Sequence, residues 1–197
     1  TAVYYSLETN HSSFTASAFE EFGYNDGEEI MDMSAKLGRA LFYKETKVWD
    51  MAWNTLAPTG DQDIEQVVTG FGLATLGVVQ SVGQTDIVWD RSGLYLWDGG
   101  RKGGVTTEES FQYISRDIQP ILDDIIHNGN ENKTTIFYYP KKRWILVAYE
   151  DENSFPEDRA NKVLMYDIVL RKWFIFKNWF VDSFATSAES KGSGKLM

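Results

Sequence analysis

Apolar and aromatic residues fall in short runs along this chain, separated by polar turn residues. In the middle, "DIVWDRSGLYLWDGG" (Asp86–Gly100) pairs two such runs. Ile87-Val88-Trp89 and Leu94–Trp97 are β-branched and aromatic, which suits a pleated, half-buried surface. The Asp90–Gly93 stretch between them predicts a four-residue hairpin loop, because Asp can bond its own backbone and Gly tolerates positive φ. Four more runs follow in succession: Thr134–Tyr139, Trp144–Glu150, Lys162–Asp167 and Trp173–Trp179. Pro140–Arg143, a long polar loop Asp151–Asn161, and Ile168–Lys172 connect them as an antiparallel set.

The first half reads the same way with weaker punctuation. Ala2–Ser6 predicts a strand entering a polar loop, Glu8–Ser13, and Gly23–Glu29 predicts another loop. Ile30–Met33 is a further candidate strand. Arg39–Tyr43 follows the turn at Gly38, and Lys44-Glu45-Thr46 closes a tight hairpin onto Lys47–Trp53. Residues 55–70 are polar and turn-rich. Phe71–Val82 is small and apolar, as expected of chain crossing a crowded interior. One stretch departs from this pattern. Within Thr106–Asn128, Ser110, Ile114, Ile118, Ile121, Leu122, Ile125 and Ile126 follow helical spacing, with Asp117, Asp123 and Asp124 on the polar side. Pro120 suits a first turn, so the spacing predicts a short helix near 117–127 that ends at Asn128-Gly129.

An aromatic followed by Asp recurs at Trp49-Asp50, Trp89-Asp90, Trp97-Asp98 and Tyr166-Asp167. Trp49 and Trp97 are 48 residues apart, and Tyr166 follows Trp97 by 69. The helical stretch, about 107–129, has the size of the surplus and reads as an insertion. The pair is then architectural, with the aromatic packed between sheets and the Asp accepting backbone hydrogens at the turn to an outer strand. These features predict an all-β, mainly antiparallel fold of propeller-like four-stranded blades with one short inserted helix. Three repeats fall short of the four or more blades of a closed ring, so an incomplete propeller is expected. Thr1 in place of Met, and a Ser/Gly/Lys-rich end, point to residues 1–197 as a partial domain of a longer chain.

Composition narrows the function. Aromatic residues make up 15% of the chain, which favours strands, and there is no Cys, so no disulfide framework or thiolate chemistry. A net charge of −10 opposes wrapping of nucleic acid, which needs a basic stripe. No apolar run is long enough for a membrane helix, and no secretory signal is visible, so no membrane partner is expected. Two histidines, His11 and His127, supply neither a triad nor a metal set. Asp61-x-Asp63-x-Glu65 resembles the start of a calcium loop but lacks its glycine and closing Glu. Asp123-Asp124 are adjacent and do not face each other on a helix. Gly192-Ser193-Gly194-Lys195 lacks the first glycine and last hydroxyl of a phosphate loop. Asn10-His11-Ser12 and Asn132-Lys133-Thr134 match a glycosylation pattern that a chain without a secretory signal does not use. No catalytic, cofactor-binding or metal residue is assigned. The one basic–aromatic cluster, Lys141-Lys142-Arg143 beside Tyr138, Tyr139 and Trp144, is ordinary protection of a sheet edge or a transient contact with DNA in a channel.

Taken in order, "VYYSLETNHSSF", "RALFYKETKVWDM", "GVVQSVGQTDIVWDRSGLYLWDGG" running on to Ile118, and "IFYYPKKRWILVAYED" with "NKVLMYDIVLRKWFIF" resemble the blades of β-propeller structural proteins in the tails, necks or hubs of tailed bacteriophages. The resemblance covers most of the chain and implies a non-enzymatic virion component, assembled in the host cytoplasm. Its implied partners are other virion proteins and copies of itself in a ring or hub. The upstream Gly-His of eukaryotic WD repeats is missing. The alternative is a carbohydrate-binding or carbohydrate-active propeller. It would need converging carboxylates, and Val88 stands where the sialidase Asp-box has Ser.

Overall fold

The computed structural model describes residues 2–7, 10–23, 25–36, 39–52, 63–99, 111–151, 160–187 and 195–196. Three four-stranded antiparallel sheets follow one another along the chain, each a meander in which neighbours in sequence are neighbours in space. The first holds β3 (Asp32–Lys36), β4 (Arg39–Tyr43), β5 (Lys47–Ala52) and β6 (Asp63–Thr69). The second holds β7 (Gln80–Val82), β8 (Thr85–Asp90), β9 (Gly93–Trp97) and β10 (Phe111–Tyr113). The third holds β11 (Thr135–Tyr139), β12 (Trp144–Tyr149), β13 (Ala160–Asp167) and β14 (Lys172–Val181). A two-stranded hairpin precedes them, β1 (Ala2–Leu7) with β2 (Asn10–Glu21). A short pair follows, β15 (Thr186–Ser187) with β16 (Lys195–Leu196). The mostly antiparallel β architecture agrees with the pattern of the sequence. Among the described residues no sheet closes on itself.

Trp49, Trp97 and Tyr166 all lie on the third strand of their sheets, β5, β9 and β13. Their aspartates do different work. Asp167 accepts the backbone N–H of Val169 and Leu170, each at 2.9 Å, in the turn to the outer strand, as the repeat predicts. In the second sheet it is Asp90, after Trp89 on the second strand β8, that serves a turn, taking Ser92 N–H at 2.8 Å. Asp50 instead pairs with the Arg39 guanidinium on the neighbouring strand. Trp49 faces away from the central sheet, against Phe22 and Phe42.

Several boundaries differ from the sequence reading. Asp90 and Gly93 pair, so the β8–β9 connection is the two residues Arg91 and Ser92. Gly93 has φ +140°, and a side chain there would run into the Ser115 hydroxyl. The polar stretch Glu8–Ser13 includes the start of β2, and 63–69 forms β6. β6 is a polar strand at a sheet edge, whose solvent side carries no apolar alternation to reveal it. Phe111–Tyr113, counted with the helical stretch 107–129, is the fourth strand of the second sheet. The helix itself, α1 (Gln119–His127), follows a 3₁₀ turn at Arg116–Ile118, with Pro120 in its first turn.

The second sheet lies between the other two. On β8, Asp86 reaches the first sheet, while alternation sends Ile87 and Trp89 to the opposite face. All three are fully buried. One core joins Tyr43, Val48, Leu73, Ile87, Trp97, Leu122, Ile145 and Tyr166 across all three sheets and α1. Separate apolar clusters cover the outer faces: Phe22, Phe42 and Met51 on the first sheet, and Leu146, Ala148, Val163 and Met165 on the third. Gly72–Thr75 runs through the interior, as the small apolar residues of that stretch predict. Gly72 lies so close to the Lys44 and Glu45 backbone that a Cβ would sit 2.2 Å from a carbonyl oxygen.

Candidate functional site

The buried polar groups tie sheets together. The Asp86 carboxylate accepts hydroxyl hydrogen bonds from Ser34 (2.6 Å) and Tyr43 (2.7 Å) of the first sheet and Ser81 (2.8 Å) of its own. Burial, followed by the neighbouring Asp86 charge, pushes the Tyr43 phenol well above its usual pKa. Lys44 is fully buried and donates to the Phe22 carbonyl (2.7 Å) and both Asp26 oxygens (2.9 and 2.8 Å). Its ammonium holds the Asp26 carboxyl down at about 2, helped by the Glu28 N–H and Lys47. Each of these carboxylates is held by donors from other segments of the chain. They are clamps.

The residues singled out for chemistry lie apart. Among the described residues, no three His, Cys, Asp or Glu side chains gather as a metal set. His127 is exposed in the last turn of α1, and Asn132 is exposed in a 3₁₀ turn. Asp63 and Glu65 project from β6 into solvent, so they belong to a strand and not a loop; Asp61 lies outside the described residues. Asp123 accepts the Gln119 side-chain amide at 2.8 Å. Residues 192–194, most of the loop Asp151–Asn161, and Ser110 also fall outside the described residues. Lys141, Lys142 and Arg143 are exposed at the β11–β12 turn, where Arg143 has φ +56°. Lys142 Nζ lies 6.0 Å from the Trp144 ring centroid, the outer limit of a cation–π contact.

Two surface features have the make-up of binding sites. The first is the outer strand of the third sheet, β14. It is an edge, and Phe174 (40%), Ile175 (47%), Trp179 (46%) and Phe180 (54%) are exposed along it, continued by Val169 and Leu170 in the turn before. Phe176 and Trp179 stack at 4.8 Å. A long edge strand with unpaired backbone groups and aromatic side chains is a ready template for pairing. The apolar run predicts this strand, but its exposure depends on its place at the end of the sheet.

The second feature is a cavity of about 250 Å³ between α1 and the inner face of the third sheet. Regular structure builds both walls. Ile121, Asp124, Ile125 and Asn128 have the i, i+3, i+4, i+7 spacing of one helix face. Across from them, Tyr149, Lys162 and Lys177 are direct neighbours on β12, β13 and β14, with Ile175 beside the row. Lys162 pairs with Asp151, and Glu150 with Lys133 at 2.7 Å. Asp124 and Lys177 make no ion pair among the described residues. Burial, then the Asp151 charge, pushes the Tyr149 phenol up to about 12, so it stays a neutral donor. Sequence reasoning found the helix but not this cavity. The coincidence of one helix face with one cross-strand row requires the third dimension.

No family model matches the chain, and no curated protein matches it.

Proposed function

We propose that this chain is a non-catalytic structural protein of a tailed-phage particle, a component of its tail, neck or hub. In this reading the three sheets are blades of an incomplete β-propeller, and the exposed edge of the last one docks neighbouring virion proteins, copies of the same chain among them. The observation that carries the reading is the sheet series itself: three successive four-stranded meanders, each with its repeat aromatic (Trp49, Trp97 or Tyr166) on the third strand. Sheets stacked in this way are rigid, and their short edges and loops serve as attachment points without reshaping the core. The aromatic edge Phe174–Phe180 supplies the contact, since large aromatics carry most of the energy of protein interfaces.

The experiment is cryo-electron microscopy and mass spectrometry of the particle that encodes the chain. The polypeptide is expected in many copies at the tail, neck or hub, with β14 covered by a neighbour. Its absence from the particle, or a free β14 in a chain that turns over a sugar substrate, refutes the proposal.

A further inference from the structure

We propose that the cavity between α1 and the third sheet binds a small zwitterion with an apolar body, of the class of aliphatic α-amino acids. The site goes beyond the scaffold reading and stands without it. Once the ion pairs Lys162–Asp151 and Lys133–Glu150 cancel, each wall keeps one unmatched charge among the described residues, and the two are of opposite sign. On the sheet side, Lys162 and Lys177 are direct cross-strand neighbours, an arrangement of like charges that costs stability. Asp151 neutralises Lys162, while Lys177 faces the cavity unpaired among the described residues. On the helix side stand the Asp124 carboxylate and the C-terminal end of α1, where aligned peptide dipoles favour positive charge. A ligand carboxylate is therefore drawn to Lys177 and a ligand ammonium to Asp124.

Between the two signs, Ile121, Ile125 and Ile175 give the cavity an aliphatic surface. That surface selects the ligand. A sugar would set hydroxyls against the three isoleucines without partners, and a buried polar group left unpaired costs more than its bonds elsewhere return. A branched aliphatic side chain gains there by burial. A volume of about 250 Å³ is just below the roughly 300–1,000 Å³ of pockets for drug-sized molecules, which suits a single amino acid. Asn128, Asn130 and Tyr149 line the same space, and amide and hydroxyl groups of these types can give or take hydrogen bonds to either ligand head group.

The test is saturation-transfer NMR and calorimetric titration of the full chain with L-leucine and three relatives. These are 4-methylpentanoic acid, which lacks the ammonium; 3-methylbutylamine, which lacks the carboxylate; and D-glucose. Leucine is expected to bind saturably, each single-charge analogue at least tenfold more weakly, and glucose not at all. Lys177→Met is expected to weaken leucine at least tenfold and to remove its advantage over 3-methylbutylamine. Asp124→Asn should do the same relative to 4-methylpentanoic acid. Both positions are exposed, so circular dichroism and thermal midpoints should match the parent chain. The analogue series tests the site without any variant. The proposal is overturned if leucine shows no saturable binding, if its analogues or glucose bind equally well, or if both variants bind as the parent does.

Discussion

Trp97→Ala tests whether the repeat aromatic is a core element. Trp97 is fully buried on the last position of β9. Its ring lies parallel to Phe111 at 5.4 Å and edge-on to Tyr43 at 5.8 Å and Phe71 at 6.0 Å. Phe111 is on the adjacent strand and Tyr43 is on the first sheet, so one side chain links two strands and two sheets. Truncating a buried Trp costs about 3–5 kcal/mol, and lost aromatic pairs add about 0.5–1.5 kcal/mol each beyond burial. One term opposes this. Among the described residues the buried Trp97 indole N–H has no hydrogen-bond partner, a burden of about 1–3 kcal/mol that the native protein already carries. Removing it returns part of the loss, and the middle of each range, with three aromatic pairs lost, places Trp97→Ala at about 5 kcal/mol. Trp97→Phe keeps the stack and removes the orphan donor, so it should cost less than about 2 kcal/mol. The assay is urea denaturation followed by circular dichroism, with the slope compared across variants. A loss below about 1 kcal/mol for Trp97→Ala, or equal losses for Ala and Phe, would refute the argument.

Asp86→Ala should cost about 3 kcal/mol or more in the same assay, since it orphans the Ser34 and Tyr43 hydroxyls inside the core; an effect under about 1 kcal/mol would show that the clamp is dispensable. The depressed Asp26 carboxyl contributes stability that is complete above its unfolded value of 3.8 and lost as pH falls towards about 2. The gap between the parent and Asp26→Asn, up to about 2 kcal/mol at neutral pH less what solvent screens, should close across that window; a gap that persists at pH 2 contradicts the pairing. Replacing Lys141, Lys142 and Arg143 with Ser should leave stability within about 0.5 kcal/mol, as for exposed surface positions, and a fluorescence-anisotropy titration with duplex DNA should show the same weak binding before and after. A sharp loss of DNA binding in that variant would make the hairpin a functional contact.

Some of this protein was decided by the order of its residues alone. The four strands of the third sheet, with turns read at Pro140–Arg143 and Ile168–Lys172, were legible because apolar runs and turn formers alternate there. The short helix was legible because its isoleucines keep helical spacing and Pro120 fits only a first turn. The aromatic-Asp pairs at Trp49, Trp97 and Tyr166 marked the third strand of each sheet, whereas the pair at Trp89 lies on a second strand and Trp49 packs on the outer face of its sheet and not between sheets. Tertiary structure decided the rest. β6 carries too little alternation to announce itself, and β2 alternates at Phe14-Thr15-Ala16-Ser17-Ala18 only after a polar start that reads as a loop, so strand pairing decides both. Asp50, Asp90 and Asp167 look alike in sequence, yet one holds an arginine and two hold turns, because a carboxylate takes whichever donors its strand position brings near. The exposure of Phe174, Ile175, Trp179 and Phe180 follows from β14 being the edge strand of the third sheet. The two-signed cavity exists because α1 folds back over the row Tyr149, Lys162 and Lys177, whose members are 13 or 15 residues apart in the chain and adjacent only across the sheet.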